Sequence, residues 1–514
     1  MKNDWNAETI RAGNALYGLR FQRLAMLLAV LFSFALGSVA QNPPPGGGLP
    51  PVNYPPENLH SEAKRILGKI LFWDEQLSSN DTIACGTCHI PTFGGADPRL
   101  GLHPGFDGAF GTDDDVIGSP GVVHMDADKN PVNDPVFGFD PQVTGRAAQS
   151  YFASMFAPDN FWDGRATSQF IDPEDGITEL IAQFGGLESQ AVGPIVSSVE
   201  MAHEGRTWND VRNKLMAATP LLMSSNIPAD MQAAINANSS YPELFANAFG
   251  DSSINAGRIG FAIATYERTL LPDESPWDLY EDGDTSAMTA AQINGWETLR
   301  DLTICLNCHQ PPLFTDNQFY NIGLRPSFED EGRFNVTGNN QDHGRFKTPS
   351  LRNVGLKSTM MHVGWVTDVQ DSIDFYNAGT QNTGHVQFTD DQSTIPGGGN
   401  YNNISMPAQF QPDIIDFLEN GLTDPRVANE EFPFDRPTLL SELAQTPVIY
   451  ADGSYEGMEN GSESMPYNTL EEALVHVTEA GTIALSPGAI GGAIVITQPV
   501  TLECSAGTAT IGME

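Results

Sequence analysis

Two pentapeptides constrain this chain more than anything else in it. Cys85-Gly86-Thr87-Cys88-His89 lies within TIACGTCHIP, and Cys305-Leu306-Asn307-Cys308-His309 lies within TICLNCHQP. Together they take four of the five cysteines and leave Cys504 alone. Two thiols with two residues between them sit about one helical turn apart, and a histidine follows each pair. That order is the attachment pattern of c-type haem, in which both thiols become thioethers and the histidine binds the iron. A thioredoxin-like redox pair would need a βαβ context, which the flanking residues do not provide. One zinc site drawing on both pairs would leave both histidines without a role. The spacing predicts two covalently held c-type haems, anchored by Cys85, Cys88, Cys305 and Cys308, with His89 and His309 as iron ligands.

Covalent attachment suits a protein outside the cytoplasm, where a lost cofactor is not replaced. Arg20 and Arg23 precede the apolar run LAMLLAVLFSFALG, and the small residues Ser38 and Ala40 follow it. Residues 1–40 are therefore expected to be a signal peptide, placing the protein in the periplasm or among secreted proteins. The rival, a membrane anchor, asks for about 20 apolar residues, more than this run supplies. No other stretch reads as a span. The chain carries 65 acidic against 25 basic residues, a net charge of −40. Such a balance excludes nucleic acid as a partner and would draw basic proteins to the surface.

Residues 41–57 read as a Pro/Gly linker. Apolar residues at helical spacing begin in SEAKRILGKILFWDEQL and recur at 146–156, 208–218, 229–248, 253–270, 289–302, 371–377 and 411–420. Residues 94–140, rich in Gly, Asp and Pro, carry neither period and are expected to be a functional loop or an insertion. After a second linker at 426–445, residues 446–514 show short β-branched runs between Gly and Pro, like the opening of a parallel β-helix. No repeat beyond the two pentapeptides is evident. The expected fold is mainly α with this short C-terminal β segment.

From about residue 58 to 425 the chain resembles the bacterial di-haem cytochrome c peroxidase family, which includes the di-haem enzyme of methylamine dehydrogenase maturation. The resemblance is carried by FWDGRA (161–166), LESQAVGPIVSSVEM (187–201), and FKTPSLRNV (346–354) with His362, besides the haem motifs. The connection TSQFIDPEDGITELIAQFGG is longer here than in most members. The resemblance implies two cytochrome c-like lobes, a peroxidatic one at 58–275 and an electron-transfer one at 276–425. It places Gln190 and Glu200 beside the N-terminal haem as the catalytic pair, and Trp162 between the haems. Arg165 takes a structural or haem-propionate role. The pair makes chemical sense: cleaving peroxide needs a proton taken from one oxygen and returned to the other, and a carboxylate does both while a carboxamide orients the substrate.

The axial positions stay open. In the family a loop histidine can close the N-terminal iron, and His103 is the better candidate by spacing, with His124 the other; if neither binds, that iron is open. For the C-terminal iron, Tyr376 matches the maturation enzyme's tyrosine, and Met361 or Met360 would match the peroxidases' methionine. The family's calcium site loses its asparagine to Ala147 here, and the loop Asp126, Asp128, Asn130 is only part of a calcium pattern. The implied function is an exported peroxidase that reduces hydrogen peroxide with electrons from a small cytochrome c or copper protein. Its rivals are a maturation-type oxidase acting on an organic or protein substrate through high-valent haem, and a non-catalytic electron-transfer protein. A homodimer is left open.

Overall fold

The computed structural model describes residues 48–110, 112, 114–325, 327–378, 406, 408–444, 448–455 and parts of 466–511. The expected signal peptide and the start of the first linker lie outside them. Among the described residues no helix is long and apolar enough to cross a membrane.

The chain is rich in helices, with several short sheets. Two large apolar cores organise it, one around Leu67, Phe72, Trp73, Phe245 and Ile263, the other around Trp277, Trp296, Phe314, Ile414 and Phe417. The first rests on the crossing of helices Glu62–Phe72 and Ala256–Glu267. Ser61 caps the former by accepting from the Lys64 amide at 3.3 Å. The helices touch at Gly68, where an added Cβ would stand 1.9 Å from the Ala262 carbonyl oxygen. The second core repeats the device: Ala290–Leu302 crosses Gln411–Asp416 at Gly295, whose Cβ would stand 2.0 Å from the Asp413 oxygen. Backbone blocks both positions, so Gly68→Ala and Gly295→Ala should each cost about 3 kcal/mol or more. Urea denaturation of the haem-loaded protein, followed by circular dichroism, checks this as a lowered midpoint.

Helices Trp208–Ala217, Ala256–Glu267, Ala290–Leu302 and Val369–Ala378 lie where the periodicity predicts them. The pattern over 229–248 divides into Ala229–Ala237 and Tyr241–Phe249, because Ser240 and Glu243 form a capping box that starts a new helix. Residues 146–156 are not a helix. Ala153 has φ 66°, and only the turn Ser154–Phe156 forms. The 94–140 region carries short antiparallel pairs: Gly101–His103 with Val116–Gly118, and Pro120–Val123 with Pro141–Val143.

Against expectation, the body of the chain does contain a repeat. Ser150 Oγ donates to the Gly94 carbonyl at 2.7 Å and Ser350 Oγ to the Leu313 carbonyl at 2.7 Å. The next residues, Tyr151 and Leu351, donate their amides to Gly95 and Phe314, both at 3.3 Å. Ala153 and Asn353, Phe161 and Met361, and Gly164 and Gly364 share positive φ. Asn160 bridges Ala166 as Met360 bridges Val366. FWDGRA and MHVGWV are thus the same loop built twice, with Trp162 in one corresponding to His362 in the other.

The described part of the expected linker, residues 426–444, is not free. Val427, Phe434 and Leu439 are buried in the first core, which closes over a segment from beyond the second. At the C-terminus, strands Val448–Ala451, Thr482–Leu485 and Thr501–Glu503 form a parallel three-stranded sheet, and Gly488–Ile490 pairs in parallel with Ala509–Ile511.

Candidate active site

The first pentapeptide forms a single helical turn, Cys85–Cys88, whose Thr87 hydroxyl accepts from the Ala84 amide at 2.9 Å. Gly86 is required there: a Cβ would meet the Trp73 ring at 2.1 Å. His89 Nδ1 pairs with the Gly95 carbonyl at 3.1 Å, and His309 Nδ1 with the Phe314 carbonyl at 3.2 Å. A carbonyl partner fixes Nδ1 as the protonated nitrogen and leaves the Nε2 lone pair for a metal. Burial pushes both imidazoles below their usual range, which keeps that lone pair free. All four motif thiols are free of disulfides.

A cavity of about 740 Å³ opens beside the first motif. That volume lies within the range of cofactor sites. Cys85, Cys88, His89, Trp162, Gln190 and Glu200 share its wall. Gln190 sits on helix Gly186–Val192, and Pro194 starts the turn that carries the chain to Glu200. Burial raises the Glu200 carboxyl above the ordinary carboxylate range, opposed by a hydrogen bond from Ser197 and the charge of Arg165. Arg165 pairs with Asp163 at 3.2 Å and lies 3.6 Å over the Phe161 ring.

The second motif borders a tighter space of about 180 Å³, lined by Cys305, Cys308, His309, Met360, Met361, His362 and Tyr376. Burial raises the Tyr376 phenol. Both cavities present what c-type haem requires, two thiols and an oriented imidazole, and the second is the smaller. Trp162 lines both. Its indole N–H donates to the Ala147 carbonyl at 2.8 Å, and its own carbonyl accepts from the Lys347 amide at 2.7 Å. Its ring meets His362 edge-on at 6.3 Å, and His362 stacks on Phe346 at 3.7 Å.

His103 and His124 do not reach the first cavity. His103 packs edge-on against Phe137 at 4.8 Å, and His124 pairs with Asp134 at 3.0 Å. Among the described residues, His89 is the only histidine on that wall. Asp126, part of the partial calcium pattern, accepts from the Asp128 and Asn130 amides of its own loop, both at 2.9 Å. Among the described residues no group of three or more His, Cys, Asp or Glu could hold a metal ion.

Sequence reasoning missed Glu267 and Tyr151, which also line the first cavity, each with a buried oxygen lacking a hydrogen-bond partner. Burial raises Glu267 to about 8. The available signal was its register: Ile259, Ile263 and Glu267 fall on one apolar helix face.

Two cavities, each with a Cys-x-x-Cys-His motif on its wall and with one tryptophan lining both, fit a haem protein of the c type. Residues 62–286 match the family model of the di-haem cytochrome c peroxidases. Over those residues the chain is similar to that family, and with the relatives below the chain is a di-haem cytochrome c peroxidase-like oxidoreductase. It is 26% identical over 463 residues to cytochrome-c peroxidase IdrP1 of Pseudomonas sp. (strain SCT), covering 84% of this chain and 98% of that protein. It is 27% identical over 376 residues to methylamine utilization protein MauG of Methylorubrum extorquens, covering 73% of this chain and 82% of that one. In fold it is similar to a crystal structure of a MauG-like protein associated with microbial copper homeostasis. That similarity has a TM-score of 0.52 and 23% identity, and covers 75% of this chain and 96% of the other.

Proposed function

We propose that this protein is an exported di-haem peroxidase that reduces hydrogen peroxide to water with electrons from a small redox protein. One observation carries the reading: Glu200 and Gln190 border the same cavity as Cys85, Cys88 and His89, and Trp162 borders both cavities. Haem, held by the two motifs, supplies the iron that passes electrons to peroxide. The Glu200 carboxylate takes the proton from one peroxide oxygen and returns it to the other, so that this oxygen leaves as water. The Gln190 carboxamide holds peroxide by hydrogen bonds, and Trp162 shortens the path between the cavities. Among the described residues His89 is the only histidine on that wall, which supports reading the N-terminal site as open to substrate and the C-terminal site as the one that receives the donor's electrons.

The peroxidatic unit is read as 58–275 and the electron-transfer unit as 276–425, with 446–514 as the start of a parallel β-helix and 1–40 as the export signal. The net charge of −40 favours a basic donor, a cytochrome c or a copper protein. Peroxide-dependent oxidation of a reduced basic cytochrome c tests the reading. Turnover should fall as salt rises, and Gln190→Ala should lower kcat/KM about 10- to 100-fold. No peroxide-dependent oxidation by any small donor would sink it.

The second reading, a maturation-type oxidase, is favoured by Tyr376 on the second cavity wall. If Tyr376 is the axial ligand, Tyr376→Phe changes the visible spectrum of the C-terminal haem and Met361→Leu does not. The reverse result assigns Met361.

A further inference from the structure

The two cavities differ in charge in a way the motifs do not foretell. Asp115, Asp163, Glu200, Glu267, Glu329 and Asp330 line the first, facing only Arg146, Arg165 and Arg325. The second is lined by Lys347 and Lys357 and, among the described residues, by no Asp or Glu. In a chain with 65 acidic and 25 basic residues, two lysines facing a space without a carboxylate stand out. Lys347 is 4% exposed, and its Nζ donates to the Asp159 carbonyl at 3.1 Å and the Asn160 side-chain oxygen at 3.3 Å, both uncharged. The nearby carboxylates are committed elsewhere, Asp159 to Arg333 at 3.2 Å and Asp163 to Arg146 at 2.6 Å. Lys357 makes no side-chain hydrogen bond or ion pair among the described residues. Its stem packs so closely over Gly94 that a Cβ there would lie 2.9 Å from Lys357 Cγ. Burial pushes Lys347 down to about 7 and Lys357 to about 8. Lys347 is buried and Lys357 half-buried, and an ammonium withdrawn from water without a counter-charge is unfavourable, so such a pair persists where an anion from outside the chain meets it.

We propose that Lys347 and Lys357 form the anion clamp of the second cavity and hold the carboxylates of the haem anchored at Cys305 and Cys308. The inference rests on the di-haem reading and adds the side chains that receive the cofactor's charge. Two cations lining that cavity also favour the electron-rich form of that haem. Lys347→Met with Lys357→Met should therefore lower its reduction potential by at least tenfold in the one-electron equilibrium, about 59 mV. The other haem should keep its potential, and Lys357→Arg should preserve both.

Potentiometric titration of the haem-loaded protein, followed optically, gives the readout independently of turnover. An unchanged C-terminal potential in the double variant, or an equal fall at both haems, overturns the proposal. Should Lys347→Met fail to fold, Lys357→Met alone must still lower the same potential severalfold, and an unchanged value is again fatal. Wild-type protein without haem at Cys305 and Cys308 would overturn the underlying reading, and the clamp with it; mass spectrometry of the attached haem tells that failure from the others.

Discussion

Glu200→Ala should lower peroxide turnover about 10²- to 10⁴-fold while leaving both haems attached and the resting spectra unchanged. The expectation follows from where the carboxyl sits. Glu200 shares the first cavity with His89 and Gln190, and no other carboxyl was singled out there by both the family resemblance and the geometry. The pH profile adds a second constraint. Burial raises the Glu200 carboxyl, so the proton-accepting form exists only above a pKa higher than that of a solvated carboxylate. Turnover should therefore fall as pH drops through that raised value, and the acid limb should vanish in Glu200→Ala. Glu200→Gln keeps the shape without the base, so it should resemble the alanine variant. A pH-rate profile of kcat/KM for the three proteins checks this, and turnover retained in both variants contradicts the role.

Cys305→Ser with Cys308→Ser should reduce the haem count from two to one and abolish donor-dependent peroxide reduction. The thiols are free and border the cavity, and His309 is held by the Phe314 carbonyl for a group that only these anchors retain. The mirror variant, Cys85→Ser with Cys88→Ser, should also leave one haem, but that haem should still accept an electron from the donor. The two variants therefore separate reduction from peroxide chemistry. Haem stain and mass spectrometry count the groups, and stopped-flow reduction by the donor reads the second property.

The haem motifs were legible because covalent attachment demands fixed residues at fixed spacing within one turn. The first helix was legible because its buried face repeats with the helical period. The internal repeat was not, because what recurs is backbone geometry. A positive φ is borne by Phe161 in one copy and Met361 in the other, and the interface ring is Trp162 in one and His362 in the other. Residues 426–445 look like a linker because Val427, Phe434 and Leu439 follow no period; each fills a separate gap in a core formed by residues far upstream. His103 was the better of two candidate ligands by spacing, and the short pairing of Gly101–His103 with Val116–Gly118 holds it against Phe137. The paired lysines gave no signal, since nothing local marks a cation whose counter-charge belongs to a cofactor.

The central claim is that the two haems are unequal and that the one at His89 meets peroxide. Electron paramagnetic resonance of the oxidised, haem-loaded protein, recorded before and after one equivalent of peroxide, tests it most directly. Two distinct ferric signals are predicted at rest. A small ligand such as azide should perturb only one of them, and that signal should be missing from Cys85→Ser with Cys88→Ser. Peroxide should change the wild-type spectrum and leave that of Glu200→Ala as it was. Two equivalent signals, or a peroxide response that persists without Cys85 and Cys88, would contradict the account.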